Sequence, residues 1–396
     1  MPSRACTSPH LTTILAVAAG MIVANNYYIQ PLQVPIAADL GISESLAAIA
    51  AALTQAGYAL GLLLILPLGD LMDKRRMLTV LLLLAATMML AFSMTTSGAA
   101  LLPLAAAIGI SSIVPQILPP AAVQILPPDQ RGAAVGRILG GLLLGIILSR
   151  FVGGIVGGTL GWRWLYAIAA ATMIALLILL RRTLPPLPPS YQGSYAALIR
   201  SLGPLVQRHA KLRSLSLIAA AQFAAFSLFW SRLVFLIADQ GLDSPAIYAG
   251  WFAPIGAVGV IAAQFTGRPQ RRIAAHRIVA LGGALMAAGF ATMTLAPLHL
   301  LWLVPAIMLL DLGMQTSHVA SMAQILGMEP AAGSRLNTIY MSSRFAGGFV
   351  GTLIGALLWP LGGWMAVCTA GVALGATSIL LAHAGQGLPA PRQSCD

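Results

Sequence analysis

The stretch "LPLGDLMDKRRML" (residues 66–78) decides the fold of this chain. It places two aspartates and three consecutive basic residues between two long apolar runs, residues 45–66 and 77–96. About 20 consecutive apolar residues are enough for a helix to cross a lipid bilayer. We therefore predict that this stretch is a short charged loop that joins two membrane-spanning helices.

The composition of the whole chain also requires a membrane. Of its 396 residues, 58% are hydrophobic and only 8% are charged, with a mean hydropathy of +0.87. Soluble globular proteins carry about 25% charged residues, so this chain has too few polar side chains to cover a surface in water. The net charge of +12 does not indicate nucleic-acid binding, because the basic residues lie in short gaps between apolar runs.

The apolar runs predict an all-α, polytopic membrane protein with twelve transmembrane helices. The predicted spans are residues 11–36, 45–66, 77–96, 99–126, 133–160, 162–180, 214–238, 246–266, 278–296, 299–325, 337–358 and 361–383. If the N-terminus is cytoplasmic, every lysine and arginine in a loop or at a helix end, except Arg163, falls on the cytoplasmic side. This bias predicts a multi-pass protein with both termini in the cytoplasm.

A basic segment divides the spans into two halves. Residues 181–213 hold six lysines and arginines, no acidic residue and a proline-rich start that ends the sixth helix. We predict an N-terminal bundle at 1–180, a cytoplasmic linker at 181–213 and a C-terminal bundle at 214–396. The linker forms either a short amphipathic helix on the anionic inner leaflet or a plain tether.

The loop at 66–78 resembles the signature loop of the major facilitator superfamily. Leu68, Asp70, Lys74 and Arg75 match the family pattern, whereas Leu66, Leu71 and Asp73 stand where it has glycine, arginine and glycine. The resemblance covers the whole chain as six helices, a basic loop and six helices. The segments "NNYYIQPL" (25–32), "QRGAAVGR" (130–137), "GWRW" (161–164) and "SRLNTIYM" (334–341) are similar to a bacterial efflux-type branch that includes drug and sugar exporters.

The resemblance implies two six-helix bundles around a central cavity lined by helices one, four, seven and ten, in the inner membrane of a bacterium. It also implies that Asp70 interacts with the N-terminal end of a helix of the other half, helix eleven. Charged residues at the cytoplasmic ends of the helices then form a gating group: Asp70, Asp73, Lys74, Arg75, Arg76, Arg131 and Arg344. The simpler alternative for the basic cluster is positive-inside anchoring alone.

Asp311 is the acidic residue that lies inside a predicted span, in "LLDLGMQTSHVA" (309–320). A carboxylate near the middle of the membrane costs about 3 kcal/mol, and protonation removes most of this cost. Gln315 and His318 follow at i+4 and i+7, on the same helix face. We predict that Asp311 couples transport to protons, with His318 and Arg150 as further candidates; the alternative is a permanent salt bridge that holds the halves together.

Other polar residues within the spans are candidates for a substrate cavity: Asn25, Asn26, Tyr28, Gln30, Gln116, Gln315 and Arg232. Uncharged amides and a phenol either bind a polar substrate or join helices by hydrogen bonds. Gln116 lies in "VPQILPP" (114–120), whose prolines predict a kinked or partly unwound helix. Arg232 either snorkels outward or closes the outer mouth against Asp239 or Asp243.

Two arginines lie in similar stretches, "SRFVGGIVGG" (149–158) and "SRFAGGFVGT" (343–352). The Gly-Trp pairs that close helices five and eleven give a different repeat register, displaced by about two helical turns, or ~12 Å. We therefore predict that the stretches are not equivalent. Arg344 belongs to the cytoplasmic half of the membrane, whereas Arg150 lies near mid-depth as a counter-charge for Asp311.

Glycines recur every four residues on helices five and eleven, as Gly141 and Gly145 and as Gly347 and Gly351. This spacing predicts close helix contacts. The efflux branch has a Gly-Pro pair on helix five where this chain has Ser149–Arg150. This departure weakens the assignment as a drug/proton antiporter.

The sequence contains no phosphate-binding glycine loop, no metal-ligand cluster and no nucleophile with a base, so it predicts a protein that is not an enzyme and needs no cofactor or metal. We predict a secondary active transporter that moves a small organic solute by alternating access, with proton-coupled efflux as the leading hypothesis. The alternatives are a nutrient importer or uniporter and a non-transporting membrane sensor of the same fold. The expected partners are the solute, protons and membrane lipid, without nucleic acid, and the family resemblance favours a monomer.

Overall fold

The computed structural model describes residues 9–189, 191, 193–259, 274–329 and 332–385, and this part of the chain is helical without any strand. Its α-helices are α1 (Pro9–Val23), α2 (Ile29–Leu40), α3 (Glu44–Leu60), α4 (Leu68–Leu71), α5 (Lys74–Met94), α6 (Gly98–Ser111), α7 (Leu118–Ile125), α8 (Pro128–Thr159), α9 (Trp162–Thr183), α10 (Tyr195–Arg200), α11 (Leu202–Arg208), α12 (Ala210–Asp239), α13 (Pro245–Phe252), α14 (Ala275–Met293), α15 (Leu303–Leu326) and α16 (Gly333–Ala384).

Ten helical stretches within the described residues are long and apolar enough to cross a membrane. The last of them, α16, has 52 residues and bends at Gly362 and Gly363, whose backbone dihedrals are not helical. It therefore contains both the eleventh and the twelfth predicted spans. The eighth predicted span, 246–266, extends beyond the described residues, which end there at residue 259. The all-α, polytopic membrane fold predicted from the apolar runs is confirmed.

The fourth span is broken where its prolines predict a break. Helix α6 ends at Ser111, a turn of 3₁₀-helix covers Val114–Gln116, and α7 begins at Leu118. Prolines have no amide hydrogen to donate, so the carbonyl groups one turn earlier lose their helical partners. The prediction of a kinked or partly unwound fourth helix is therefore confirmed.

The first span is also broken, which the sequence analysis did not predict. A 3₁₀ turn at Ala24–Asn26 separates α1 from α2. The cause is Pro31, which cannot donate to the carbonyl oxygen of Tyr27; that oxygen accepts instead from the amide of Gln30, at 3.1 Å. Unwound backbone at membrane depth is tolerated where it faces protein or a wet cavity.

The chain divides into two compact units. The first contains α1 to α9 and α13, and the second contains α11, most of α12 and α14 to α16. In the first unit, α1 crosses α8 at Gly141 and Gly145, where an added Cβ would come closer than 3.0 Å to the backbone of α1. In the second unit, α12 crosses α16 in the same way at Gly347 and Gly351. The close contacts predicted from the glycine spacing are thus present in both units.

The segment that follows α9 folds into short helices. Within the predicted linker, α10 and α11 are present, and the side chains of Leu198, Leu202 and Leu205 are buried. Helix α11 contacts α16. The apolar side of these amphipathic helices is therefore covered by protein, and their placement on the inner leaflet stays a prediction.

Candidate functional site

A polar cluster of the first unit lies at the break of the first span. Asn25, Asn26 and Gln30 are each at most 1% exposed. The Nε of Arg150 donates a hydrogen bond to Oε1 of Gln30 at 2.7 Å. The Arg150 guanidinium also lies over the ring of Tyr27, 4.6 Å from its centroid. The structure thus brings Gln30 and Arg150, two candidates from the sequence, into contact, and Tyr27 lies against the same buried cation.

Several atoms of this cluster have no hydrogen-bond partner within the described residues. They are both amide atoms of Asn26, Oδ1 of Asn25 and Nε2 of Gln30. A buried polar atom without a partner costs roughly 1–3 kcal/mol. Native proteins keep few such atoms, so a group of them at one place marks unused capacity to bind a polar molecule. These atoms include both hydrogen-bond donors and hydrogen-bond acceptors.

The side-chain nitrogen of Asn25 has a structural role. Its Nδ2 lies 3.3 Å from Oγ of Ser112 and 3.3 Å from Sδ of Met173, so it links the first, fourth and sixth spans. Gln116 donates to the phenol oxygen of Tyr58 at 3.5 Å. Both side chains therefore combine a structural role with their place at a broken helix.

Tyr28 is partly exposed and packs edge-to-face against Tyr166, with ring centroids 6.5 Å apart. Its partial exposure distinguishes it from the fully buried amides beside it. Tyr28 is therefore the partly exposed member of the cluster.

In the second unit, the predicted polar face of α15 is present and largely buried. Asp311 and Gln315 are each 5% exposed. The Asp311 carboxylate packs against Gly256, where an added Cβ would lie 3.1 Å from its Oδ2. A glycine at this position therefore leaves the space that the carboxylate occupies.

His318 has a different set of neighbours from Asp311. Its Nδ1 lies 2.9 Å from the phenol oxygen of Tyr340, and the two rings stack at a centroid distance of 5.7 Å. Arg344 interacts electrostatically with both of these side chains. Its guanidinium lies over the ring of Phe223, 4.6 Å from the centroid. Arg344, which the sequence analysis placed in a gating group, thus belongs to a buried group with His318 and Tyr340.

Sequence reasoning missed Tyr340 and a second polar link. Nε2 of Gln222 donates to Oγ of Ser317 at 3.0 Å, and that hydroxyl donates to the carbonyl oxygen of Val279 at 3.2 Å. These two hydrogen bonds join α12, α15 and α14. An amide in the middle of the seventh span was the available signal for it.

The predicted snorkelling of Arg232 is wrong. The side chain is 1% exposed, so it does not reach the membrane surface. Its aliphatic part packs against Gly355, where an added Cβ would lie 3.1 Å from Cγ, and its guanidinium lies 4.2 Å from the centroid of Phe235. The missing side chain of Gly355 leaves room for the stem, and the aromatic face attracts the cation. Closure against Asp239 or Asp243 stays a prediction.

The charged loop at 66–78 is tied to the segment that follows α9. Oδ1 of Asp73 caps α5 by accepting from the amide of Arg75 at 2.7 Å. The amide of Lys74 donates to the carbonyl oxygen of Leu187 at 3.2 Å, and the amide of Tyr191 donates to that of Asp70 at 2.9 Å. The contact of the loop with this segment was not predicted from the sequence.

The other members of the predicted gating group have separate positions. The Arg75 guanidinium donates to the carbonyl oxygen of Arg181. Nε of Arg131 donates to the carbonyl oxygen of Leu126 at 3.0 Å, at the end of α7, and Arg76 is exposed. The contact of Asp70 with helix eleven and the pairing of Arg150 with Asp311 stay predictions.

Comparisons with known proteins agree with this architecture. The sequence matches the family model described as Major Facilitator Superfamily over residues 15–352. It is 35% identical over 374 residues to the "Uncharacterized transporter YgaY" of Escherichia coli O157:H7, which covers 94% of this chain and 95% of that protein. It is 29% identical over 356 residues to the "Probable transporter SCO4007" of Streptomyces coelicolor, which covers 90% and 83% of the two chains.

Solved structures share the fold at low sequence identity. The nucleoside transporter NupG superposes with a TM-score of 0.74 at 14% identity, over 95% of this chain and 98% of that chain. A POT peptide transporter in complex with sulfate superposes with a TM-score of 0.74 at 16% identity, over 95% of each chain. The family match spans most of the sequence, and its relatives are named as transporters. The chain therefore belongs to the major facilitator superfamily and is a multi-pass membrane transporter, not an enzyme.

Proposed function

We propose that this transporter is a secondary active transporter that moves a small polar organic solute by alternating access. The observation that carries the proposal is the group of unpartnered polar atoms on Asn25, Asn26 and Gln30, beside the buried cation of Arg150. A solute with both hydrogen-bond donors and acceptors satisfies these atoms. Each of these polar atoms is already removed from water in the folded protein. A hydrogen bond to the solute therefore gains free energy without a new desolvation cost for that atom, which favours binding.

The proposed topology follows from the charges of the loops. The twelve spans form two six-helix bundles, at 1–180 and 214–396, joined by the basic segment 181–213, with both termini in the cytoplasm of a bacterial cell. The support is that Arg163 is the sole basic loop residue on the opposite side. In this proposal the protein acts as a monomer in the inner membrane.

Proton-coupled efflux is the proposed direction and energy source. Asp311 supports it, because a buried carboxyl group within a span has two protonation states with very different costs in the membrane. His318 and Arg150 are the further groups proposed for this pathway. Efflux rests on the resemblance of the motifs to exporters, so import of a nutrient is the competing direction.

The test is a flux screen with purified protein in proteoliposomes and an imposed pH gradient. We expect uphill transport of at least one small polar solute, and we expect Asp311→Asn to abolish uphill flux while solute exchange without a gradient continues. Asp129→Asn, the same change at an exposed carboxylate outside the spans, serves as the matched control.

The outcomes separate the competing functions. Uphill flux that survives in Asp311→Asn contradicts proton coupling through this residue. Accumulation by right-side-out but not by inverted membrane vesicles identifies an importer. Absence of flux for every solute in a broad panel, together with specific solute binding, supports the sensor of the same fold.

A further inference from the structure

A second polar feature lies at one end of the second unit, where α12 and α14 begin. A cavity of about 180 Å³ opens there. Its walls come from the first turns of α12 and α14 and from the last turns of α15 and α16. The residues around Asp311 and His318 do not line it, so it is separate from the polar face of α15.

The floor of this cavity is apolar. It consists of Leu215, Ile218 and Val279. Ile218 and Val279 also belong to a buried hydrophobic cluster that joins four helices of the unit. Such a floor has no polar group for a hydrated ion. It favours hydrocarbon, because burying apolar surface contributes roughly 25 cal/mol of binding free energy for each Å² removed from water.

The rim has the opposite chemistry. Lys211 and His276 line it, and no described residue forms a hydrogen bond or ion pair with either side chain. Gln324 adds an amide to the rim, and none of the described residues that line the cavity is acidic. A lysine ammonium group and an imidazole are donors for an anion, and no carboxylate among the described lining residues competes with an incoming anionic group.

We propose that this cavity binds an anionic amphiphile. A phosphate or carboxylate group would be held by Lys211 and His276, and the adjoining alkyl carbons would lie on the floor of Leu215, Ile218 and Val279. Two sources share this chemistry: the headgroup of an anionic membrane phospholipid and a free alkyl phosphate or carboxylate. The volume accepts a headgroup with the first carbons of a chain, so a phospholipid would leave its acyl chains outside, along the helices.

The experiment measures thermal unfolding of the full-length protein in detergent with four additives. These are dioleoylphosphatidylglycerol, the neutral dioleoylphosphatidylcholine, butyl phosphate and inorganic phosphate. An anionic amphiphile that binds the folded protein should raise Tm by about 2–4 °C over the neutral lipid. The double variant Lys211→Gln/His276→Gln should lose this shift.

The matched control is Arg277→Gln, which removes the neighbouring cation of α14. Arg277 is exposed and does not line the cavity, so this variant should keep the full shift. Gel filtration checks the folding of each variant. If the double variant does not fold, Lys211→Gln alone replaces it, because Lys211 is only partly buried.

The four additives and the variants distinguish a lipid ligand, a free ligand, a simple anion site and no site. A shift with phosphatidylglycerol alone supports the proposal with lipid as the source, and a shift with butyl phosphate supports it with a free ligand. An equal shift with inorganic phosphate shows a simple anion site and overturns the role of the apolar floor. No anionic shift, or a shift that Arg277→Gln loses as fully as the double variant, overturns the site.

Discussion

The side-chain amide of Asn26 is the clearest functional signal at the level of single residues. Both of its polar atoms lack a hydrogen-bond partner among the described residues, although Asn26 is only 1% exposed. We predict that Asn26→Leu leaves the free energy of unfolding unchanged or raises it, because an unmet polar group is replaced by an apolar one of similar size. The same variant should lose about tenfold or more in transport, equivalent to one lost hydrogen bond.

Gln222→Leu is the matched control for this prediction. The amide of Gln222 is also buried, but it donates to Ser317, so its removal should cost about 1 kcal/mol of stability. Thermal unfolding and flux in proteoliposomes measure both effects. If Asn26→Leu destabilises the protein like Gln222→Leu and transports normally, Asn26 is a structural residue.

Arg232 shows why sequence reasoning fails at some single residues. Its place near a helix end favoured snorkelling, because a long cationic side chain is normally drawn to the membrane surface. The outcome depended instead on Gly355 and Phe235, which are distant in sequence from each other and leave a buried space for the arginine. A hydropathy pattern carries no information about such a space.

At the level of helices, the α1–α8 crossing gives a sharp test of packing. An added Cβ at Gly145 would overlap the backbone of Gly20, whereas an added Cβ at Gly140 meets nothing within 4 Å. We predict that Gly145→Ala lowers stability by about 1–3 kcal/mol, because the crossing is overpacked. Gly140→Ala should cause no loss, because alanine favours a helix more than glycine does.

Thermal unfolding in detergent and the yield of folded protein check this pair of variants. Equal behaviour of the two would show that the close approach of α1 and α8 is not maintained. The comparison is matched because both glycines lie on α8, five positions apart in the numbering, and both changes add a single methyl group.

The broken helices show how far sequence alone predicts the elements. Three prolines at Pro115, Pro119 and Pro120 made the break in the fourth span predictable. The first span has Pro31 and Pro35 near its end, and prolines there are also compatible with an intact helix before them. Whether the helix breaks depends on whether the carbonyl oxygen of Tyr27 finds another donor. The amide of Gln30 is that donor, in a 3₁₀-type hydrogen bond.

At the level of the whole molecule, the glycine crossings reveal the register of an internal repeat. The same number of residues separates Gly141 from Gly347 and Gly145 from Gly351, and each pair meets the equivalent neighbouring helix of its unit. This register differs from that of the two arginine stretches. It therefore supports the prediction that the stretches are not equivalent.

The repeat relates Arg150 of the first half to the packing site of Arg232 in the second half. In this register, Arg150 corresponds to Ala356, next to Gly355, and Gly355 is where Arg232 packs. Arg150 of the fifth span thus corresponds in register to the place where Arg232 of the seventh span packs, while Arg344 is a second buried arginine of the second half. The sequence could not reveal this relation, because the two residues come from helices that do not align with each other.

The topology of the chain makes a prediction that covers the whole molecule. In a variant without its three native cysteines, Thr96→Cys should react with a membrane-impermeant maleimide in intact cells. Gln130→Cys should react only after permeabilisation, because the positive-inside rule places it in the cytoplasm. Both residues are exposed, so access differs only through the membrane. The reverse labelling pattern would invert the topology.

The glycine crossings have a mechanical consequence. Side chains that interdigitate resist displacement, because sliding one helix along another breaks their packing. Where α1 meets α8, backbone lies against backbone at Gly20 and Gly145, and no side chain projects from either glycine. Shear along this contact breaks little packing, and small sliding of packed helices is one way in which proteins change shape. The contact that most closely joins these two helices is therefore also the one along which they slide with the least resistance.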